Sequence, residues 1–205
     1  NGTLRITTTG WSSGAAPMNF WWIGGTGNWN DAGHWSTAGS GGIPQACIPS
    51  SIDNAYFDAG SGFTSGSKTV TIDAAAYCKN MDWTGANTVT APALAGTSAL
   101  DIHGSLTLVP SMSTVSYTGV ISFKSGYSGN TITSAGNTLY GDMHLNGSGG
   151  GWTLSDALTI ASPNTLWLDN GDFNTVGKNI ITGSFSGSNS NARSLSLGAS
   201  KIWLI

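Results

Sequence analysis

The chain contains no glutamate, and charged residues of every kind make up only 8% of its 205 residues. Soluble globular domains typically carry about 25%. Long solvent-facing helices are excluded on this ground, because they keep their outer faces wet with Lys, Glu and Arg, which are also good helix formers. Only seven Lys and Arg are present, scattered from Arg5 to Lys201, and the net charge is −3. Nucleic-acid binding needs clustered cations that displace counterions from phosphates, so no nucleic-acid partner is expected. No run approaches the roughly 20 apolar residues of a membrane-spanning helix, and no membrane span is expected. The three histidines, His34, His103 and His144, lie near no other His or Cys at ligand spacing. They read as ordinary polar positions.

Cysteine is equally sparse, with only Cys47 and Cys78. A bond between them would close a loop of about 30 residues, worth roughly 3–4 kcal/mol in the chain-entropy model. The alternative is two unrelated buried thiols. No metal or catalytic spacing accompanies the pair, and the bond is the expectation if the chain is secreted. No signal peptide opens the sequence, since Asn1 leads directly into a strand-like run. It reads as a mature or trimmed product, and its apolar finish at residues 201–205 leads us to expect further chain.

What replaces charge is Gly, Ser, Thr and Asn, with 30 Gly in all, beside a 39% hydrophobic content sufficient for a buried core. Strands in stacked sheets present such small polar residues to solvent, so composition alone argues for β structure. Three zones follow. Residues 1–19 hold a strand-like run at 3–9, in which Leu4 and Ile6 alternate with polar neighbours. A small-residue linker at 12–17 follows, and the zone reads as the end of a preceding unit. Residues 20–67 form a Trp-rich capping region with strand candidates at 20–23 and 52–57. From Lys68 to 205, short alternating runs are punctuated by Gly and Asn, among them 69–73, 106–108, 120–123, 131–133, 143–145, 158–160, 166–168, 180–182 and 195–197. A loose phrase recurs at 100–106 and 166–173, with a shorter relative at 195–202: apolar-x-apolar, a Gly-containing bend, then apolar again.

Strands of three to five residues suit the coils of a parallel β-helix, each pairing with its equivalents above and below. Asn130, Asn137, Asn146, Asn170 and Asn179 are expected at bends with positive φ. Coils of about 20–25 residues would place about six turns after Lys68, rising roughly 29 Å. The expected fold is thus an all-β parallel β-helix (β-solenoid) with a Trp-rich N-terminal capping region. A β-sandwich is the alternative, since its short strands carry turns at similar spacing.

Candidate chemistry is thin. Asp101 lies two residues before His103, and Asp142 two before His144, but a polysaccharide lyase or hydrolase needs acidic or basic groups clustered on one outer face. Gly147-Ser-Gly149 only partly matches a nucleophile elbow. The turn Gly24-Gly-Thr-Gly-Asn28 is not followed by a helix that could cradle a phosphate. No catalytic residues are expected, and the protein reads as a non-enzyme. Asp53 and Asp58, and Asp169 and Asp172, have the oxygen density of weak Ca²⁺ candidates, although Asp-Asn-Gly is equally good turn chemistry. A structural Ca²⁺ is the only cofactor entertained. The tryptophans are the remaining signal. Trp21 and Trp22 must point to opposite faces of a strand, and Trp29 and Trp35 lie nearby. The four either cap the first coil or contact a ligand such as a sugar ring.

The segment Trp22-Ile-Gly-Gly-Thr-Gly-Asn-Trp-Asn-Asp-Ala-Gly-His-Trp-Ser36 is followed by Gly41-Gly-Ile-Pro44, Cys47-Ile-Pro49 and Asp53-Asn-Ala-Tyr-Phe-Asp58. With Cys78-Lys-Asn-Met81 and Asn146-Gly-Ser-Gly-Gly-Gly-Trp-Thr-Leu154, it resembles a module of very large cell-surface adhesin-like proteins of Bacteroidetes. Those are exported by the type IX secretion system, and some act as adhesins in gliding motility. The resemblance covers most of residues 20–205. It implies an extracellular, cell-surface β-solenoid with a Cys47–Cys78 pair and no catalytic centre. As partners it implies surface glycans or other cell-surface and secretion proteins. The function expected is a rigid spacer that displays contact loops for attachment, with a carbohydrate-binding or polysaccharide-cleaving β-helix as the alternative.

Overall fold

A computed structural model describes residues 5–7, 10–12, 16–86, 91–110 and 112–205. Apolar residues at every second position of a short strand give it one face that must be hidden and one that tolerates water. Three to five residues bury too little area to do this alone, and the chain solves the problem by winding into a β-solenoid of about seven turns. Strands of successive turns pair in parallel. Two antiparallel pairs lie near the N-terminus, Arg5–Thr7 with Gly10–Ser12 and Asn19–Trp22 with Trp35–Ser36. Parallel pairing throughout the coils rules out the β-sandwich. Leu4 of the expected first strand and residues 13–15 of the linker lie outside the described residues.

Three ladders make the walls. The first stacks Ala76–Cys78, Leu100–Ile102, Ile121–Phe123, the starts of Met143–Leu154 and Thr165–Asn174, and Ser184–Ser186. Its inward side chains form two columns in register. One is Ala76, Leu100, Ile121, Met143, Leu166 and Phe185, and the other is Cys78, Ile102, Phe123, Leu145 and Leu168. The second ladder runs from Asn19–Trp22 through Asn54–Tyr56, Met81–Asp82, Leu106–Thr107 and Asn130–Thr133 to the ends of the two long strands. The third wall is made of two sheets, one of Gly27–Asn28, Thr69–Ile72, Ala93–Gly96 and Ser113–Tyr117, the other of Thr138–Leu139, Leu158–Ile160, Ile180–Thr182 and Ile202–Leu204. The interior between the walls is tightly filled. A cavity among Met81, Leu94, Leu106 and Tyr117 has a volume of only about 10 Å³.

The ladders begin well before Lys68. Asn19–Trp22 pairs with Asn54–Tyr56, which pairs with Met81–Asp82. Residues 20–67 are therefore the first turns of the solenoid, filled by an aromatic plug. Phe57 lies at its centre, stacked on Trp83 at 3.8 Å and within 5.8–6.2 Å of Trp22, Trp29 and Trp35. Trp83 is wholly buried and belongs to the plug although it follows Lys68.

Several local expectations are corrected. Cys47 and Cys78 are free thiols. Cys78 points inward against Ile102, where burial pushes its thiol pKa up, while Cys47 packs half-buried at the edge of the core. The five asparagines do not take up positive φ. Among the described residues that conformation falls on glycines and on Ala91, Ala135 and Val176. Asn130, Asn137 and Asn179 instead use their side chains as clamps. The Asn137 amide donates to Val109 O at 2.9 Å and Ser134 O at 2.7 Å, and Asn130 donates to Gly151 O at 3.1 Å. The glycine run at 147–151, which carries the partial nucleophile-elbow match, is part of the strand Met143–Leu154, with register shifts on both sides of Asn146. A Cβ on Gly147 or Gly150 would overlap Ser125 O in the preceding coil, so the run lets two backbones meet at a corner. Finally, Leu195 pairs with Phe173 rather than with Leu166. The phrase at 195–202 is thus not equivalent to those at 100–106 and 166–173.

Two outcomes follow. Phe123→Ala, in the middle of an inward column, should lower stability by about 3–5 kcal/mol in urea unfolding. A thiol reagent should label one cysteine, Cys47, in the folded protein and the second only after unfolding. Failure to label any thiol in denaturant would restore the disulfide.

Candidate functional site

Between the two inward columns of the first ladder runs a single outward one: Tyr77, Asp101, Ser122, His144 and Trp167, ending at Ser186. Coils lie about 4.8 Å apart, so each side chain in this column meets its neighbours in adjacent turns. Consequently the polar groups pair across turns, not along the chain. Asp101 Oδ2 accepts from Lys124 Nζ at 2.7 Å, and Asp169 Oδ2 lies 2.6 Å from His144 Nδ1. Each pair joins the middle of one strand to the residue two positions further along in the next turn, the same diagonal used twice. His144 also stacks on Trp167, with ring centroids 5.4 Å apart and planes 6° from parallel. Asp142, expected beside His144, instead accepts the Thr165 backbone N–H at 2.8 Å.

Just beyond this column the first ladder releases Lys79, His103 and Lys124 from three successive turns. They line an open cleft of about 280 Å³ together with Pro17, Ser51, Ile52, Ser125, Gly126 and Tyr127. Burial lowers the His103 pKa below its ordinary value. The Asp101 carboxylate opposes this shift and the Lys124 ammonium adds to it. Tyr127 stands in solvent at 83% exposure. Its backbone is nonetheless fixed, because its N–H donates to Ser125 Oγ at 3.1 Å and its carbonyl accepts from Asn130 at 2.6 Å.

The tryptophans divide as an adjacent pair on a strand must. Trp22, Trp29 and Trp35 have no exposed surface and cannot touch a ligand, so they plug the first turns. Trp21 faces outward on the second ladder, half-buried and stacked on Tyr56 at 5.4 Å. His34 is structural, its ring stacked on Trp22 at 4.8 Å and its Nδ1 2.8 Å from Ile23 O.

The Ca²⁺ candidates are occupied by protein donors. Asp53 accepts the backbone N–H groups of Met18 and Ser50 at 2.8 and 2.9 Å, and Asp58 accepts that of Gly60 at 2.8 Å. Asp169 faces His144, and Asp172 accepts from Ser194 Oγ at 2.6 Å. Among the described residues no three His, Cys, Asp or Glu groups converge.

Sequence reading missed Lys79, Lys124, Tyr127 and Trp167 as members of one face. The signal that would have found Lys79, Lys124 and Trp167 is the residue following each inward apolar one: Cys78, Ile102 and Phe123 are register partners, as is Leu166 in the companion column, whereas nothing of this kind marks Tyr127.

The lowered His103 pKa has a sign. Above the ordinary value near 6.5 the imidazole is neutral in both folded and unfolded chains. As pH falls through the window beneath it, the unfolded chain takes up the proton first and the fold loses stability. His103→Gln should therefore show a smaller drop in melting temperature between pH 7.5 and 5 than the parent. Identical slopes would remove this role.

Comparison of the chain with protein-family models, with curated proteins and with solved structures finds no match.

Proposed function

We propose that this chain is a stiff extracellular segment of a large bacterial surface protein, an adhesive β-solenoid that holds a glycan-contacting face at fixed orientation. The observation that carries the reading is the uneven distribution of side chains around the solenoid. The first ladder gathers Tyr77, Asp101, His144 and Trp167 in one outward column, with Lys79, His103, Lys124 and Tyr127 beside it. The third ladder presents small side chains such as Thr69, Thr71 and Ala95 beside exposed Val115 and Trp203, and the second presents Thr107 and Thr133 with one aromatic pair, Trp21 on Tyr56. Aromatic faces and fixed polar groups on a rigid backbone are what sugar rings and their hydroxyls demand, because little ordering entropy remains to be lost on binding.

The cell-surface location and the adhesin role rest on the resemblance of residues 20–205 to Bacteroidetes surface modules. That resemblance also supports export by type IX secretion, with other surface or secretion proteins as a second class of partner. Binding is the activity proposed, not catalysis.

A cleaving reading is favoured by one feature, the neutral His103 imidazole in an open cleft beside Lys124, which has the character of a general base. A glycan array run together with a polysaccharide depolymerisation assay decides. We expect retention of a subset of glycans without shortening of any polymer. Detectable chain cleavage would overturn the binding reading, and a blank array would overturn glycan contact altogether.

A further inference from the structure

The chain has seven Lys and Arg and three His, and three of these ten groups line a single cleft. Lys124 is neutralised there by Asp101 at 2.7 Å. Lys79 is exposed, and among the described residues no carboxylate lies within 4.0 Å of it. The cleft therefore presents one uncompensated ammonium on a protein whose net charge is −3. Beside it stands Tyr127, at 83% exposure on a backbone held by Ser125 and Asn130. A volume of about 280 Å³ is at the lower end of small-ligand sites and suits one ring, not a long stretch of polymer. Ser51 and Gly126 at the rim offer a hydroxyl and backbone groups to a polar occupant.

We propose that this cleft is a subsite for one acidic sugar unit of a polysaccharide, its carboxylate or sulfate meeting Lys79 while its ring lies against Tyr127. The inference rests on the glycan-contact reading above and adds the place and the charge. A neutral sugar would cover the Lys79 ammonium without pairing it, which costs desolvation that nothing returns. An acidic one replaces that lost hydration with a charge-assisted hydrogen bond. Tyr127 supplies apolar area at low entropic cost because its backbone is already fixed. Lys124 is already paired with Asp101, which leaves the Lys79 ammonium to meet the anion.

The test is calorimetric titration with three oligosaccharides of equal length: oligogalacturonate, a sulfated dextran fragment and unsulfated dextran. At least one acidic probe should bind ten times more tightly than dextran, and the better of the two assigns the anion as carboxylate or sulfate. Lys79→Ala and Tyr127→Ala should each weaken that binding at least tenfold. Lys178→Ala, an exposed lysine elsewhere, should leave it unchanged. All three side chains are solvent-facing, and far-UV circular dichroism establishes that each variant folds. Undiminished acidic-sugar binding by Lys79→Ala and Tyr127→Ala overturns the cleft as the site while glycan contact stands. Equal affinity for dextran, or silence with all three probes beside a positive glycan array, overturns the acidic preference alone. Silence together with a blank array removes the underlying reading as well.

Discussion

Parallel backbone pairing between equivalent strands of successive turns is the constraint on which the rest depends. Because Leu100 pairs with Ile121, Ile121 with Met143 and Met143 with Leu166, every side chain inherits its environment from its position in the turn. Inward columns must be apolar, since each member packs on the ones above and below. Outward columns are free of that demand, and chemistry is placed there. The corners carry the cost of keeping register across turns of unequal length. Glycines at 147 and 150 admit close backbone approach, and asparagine amides such as Asn137 satisfy carbonyls that neither strand can reach.

The architecture was legible because its cause is local. Alternation over three to five residues, turn-forming residues between runs and a scarcity of charge all point to short stacked strands. The inward residues Leu100, Ile102, Leu166 and Leu168 stand in equivalent columns, as the recurring phrase at 100–106 and 166–173 implied. What was not legible depends on turn length. Register partners along the first ladder lie between 19 and 24 residues apart, from Leu166 and Phe185 to Ala76 and Leu100. No fixed period therefore aligns Lys79 with His103 and Lys124. The carboxylate–histidine pairs suggested by spacing, Asp101 with His103 and Asp142 with His144, gave way to partners one turn on. In a solenoid the neighbour across the turn is closer than the neighbour along the strand on the same face.

The aromatic residues follow the same logic. Trp22, Trp29, Trp35 and Trp83 converge on Phe57, so large rings fill the interior of the first turns where smaller apolar columns fill the later ones. Trp21, one residue from Trp22, is turned outward by the strand and is left to stack on Tyr56. Sequence proximity thus grouped four rings, Trp21, Trp22, Trp29 and Trp35, of which only Trp21 faces outward. Tyr127 and Trp167, remote from that cluster, stand on the face that carries the polar groups.

The wall-to-wall pairing has a mechanical side. The strands of each turn pair only with those of its two neighbours, so a pull transmitted through the chain at one end meets the backbone ladder of a single coil at a time. Freeing one coil of about 20 residues would release roughly 70 Å of chain before the next is loaded. A tether of this kind gives way in small steps, spreading a sudden load over many partial extensions, and coils that remain paired serve as templates on which released ones rewind.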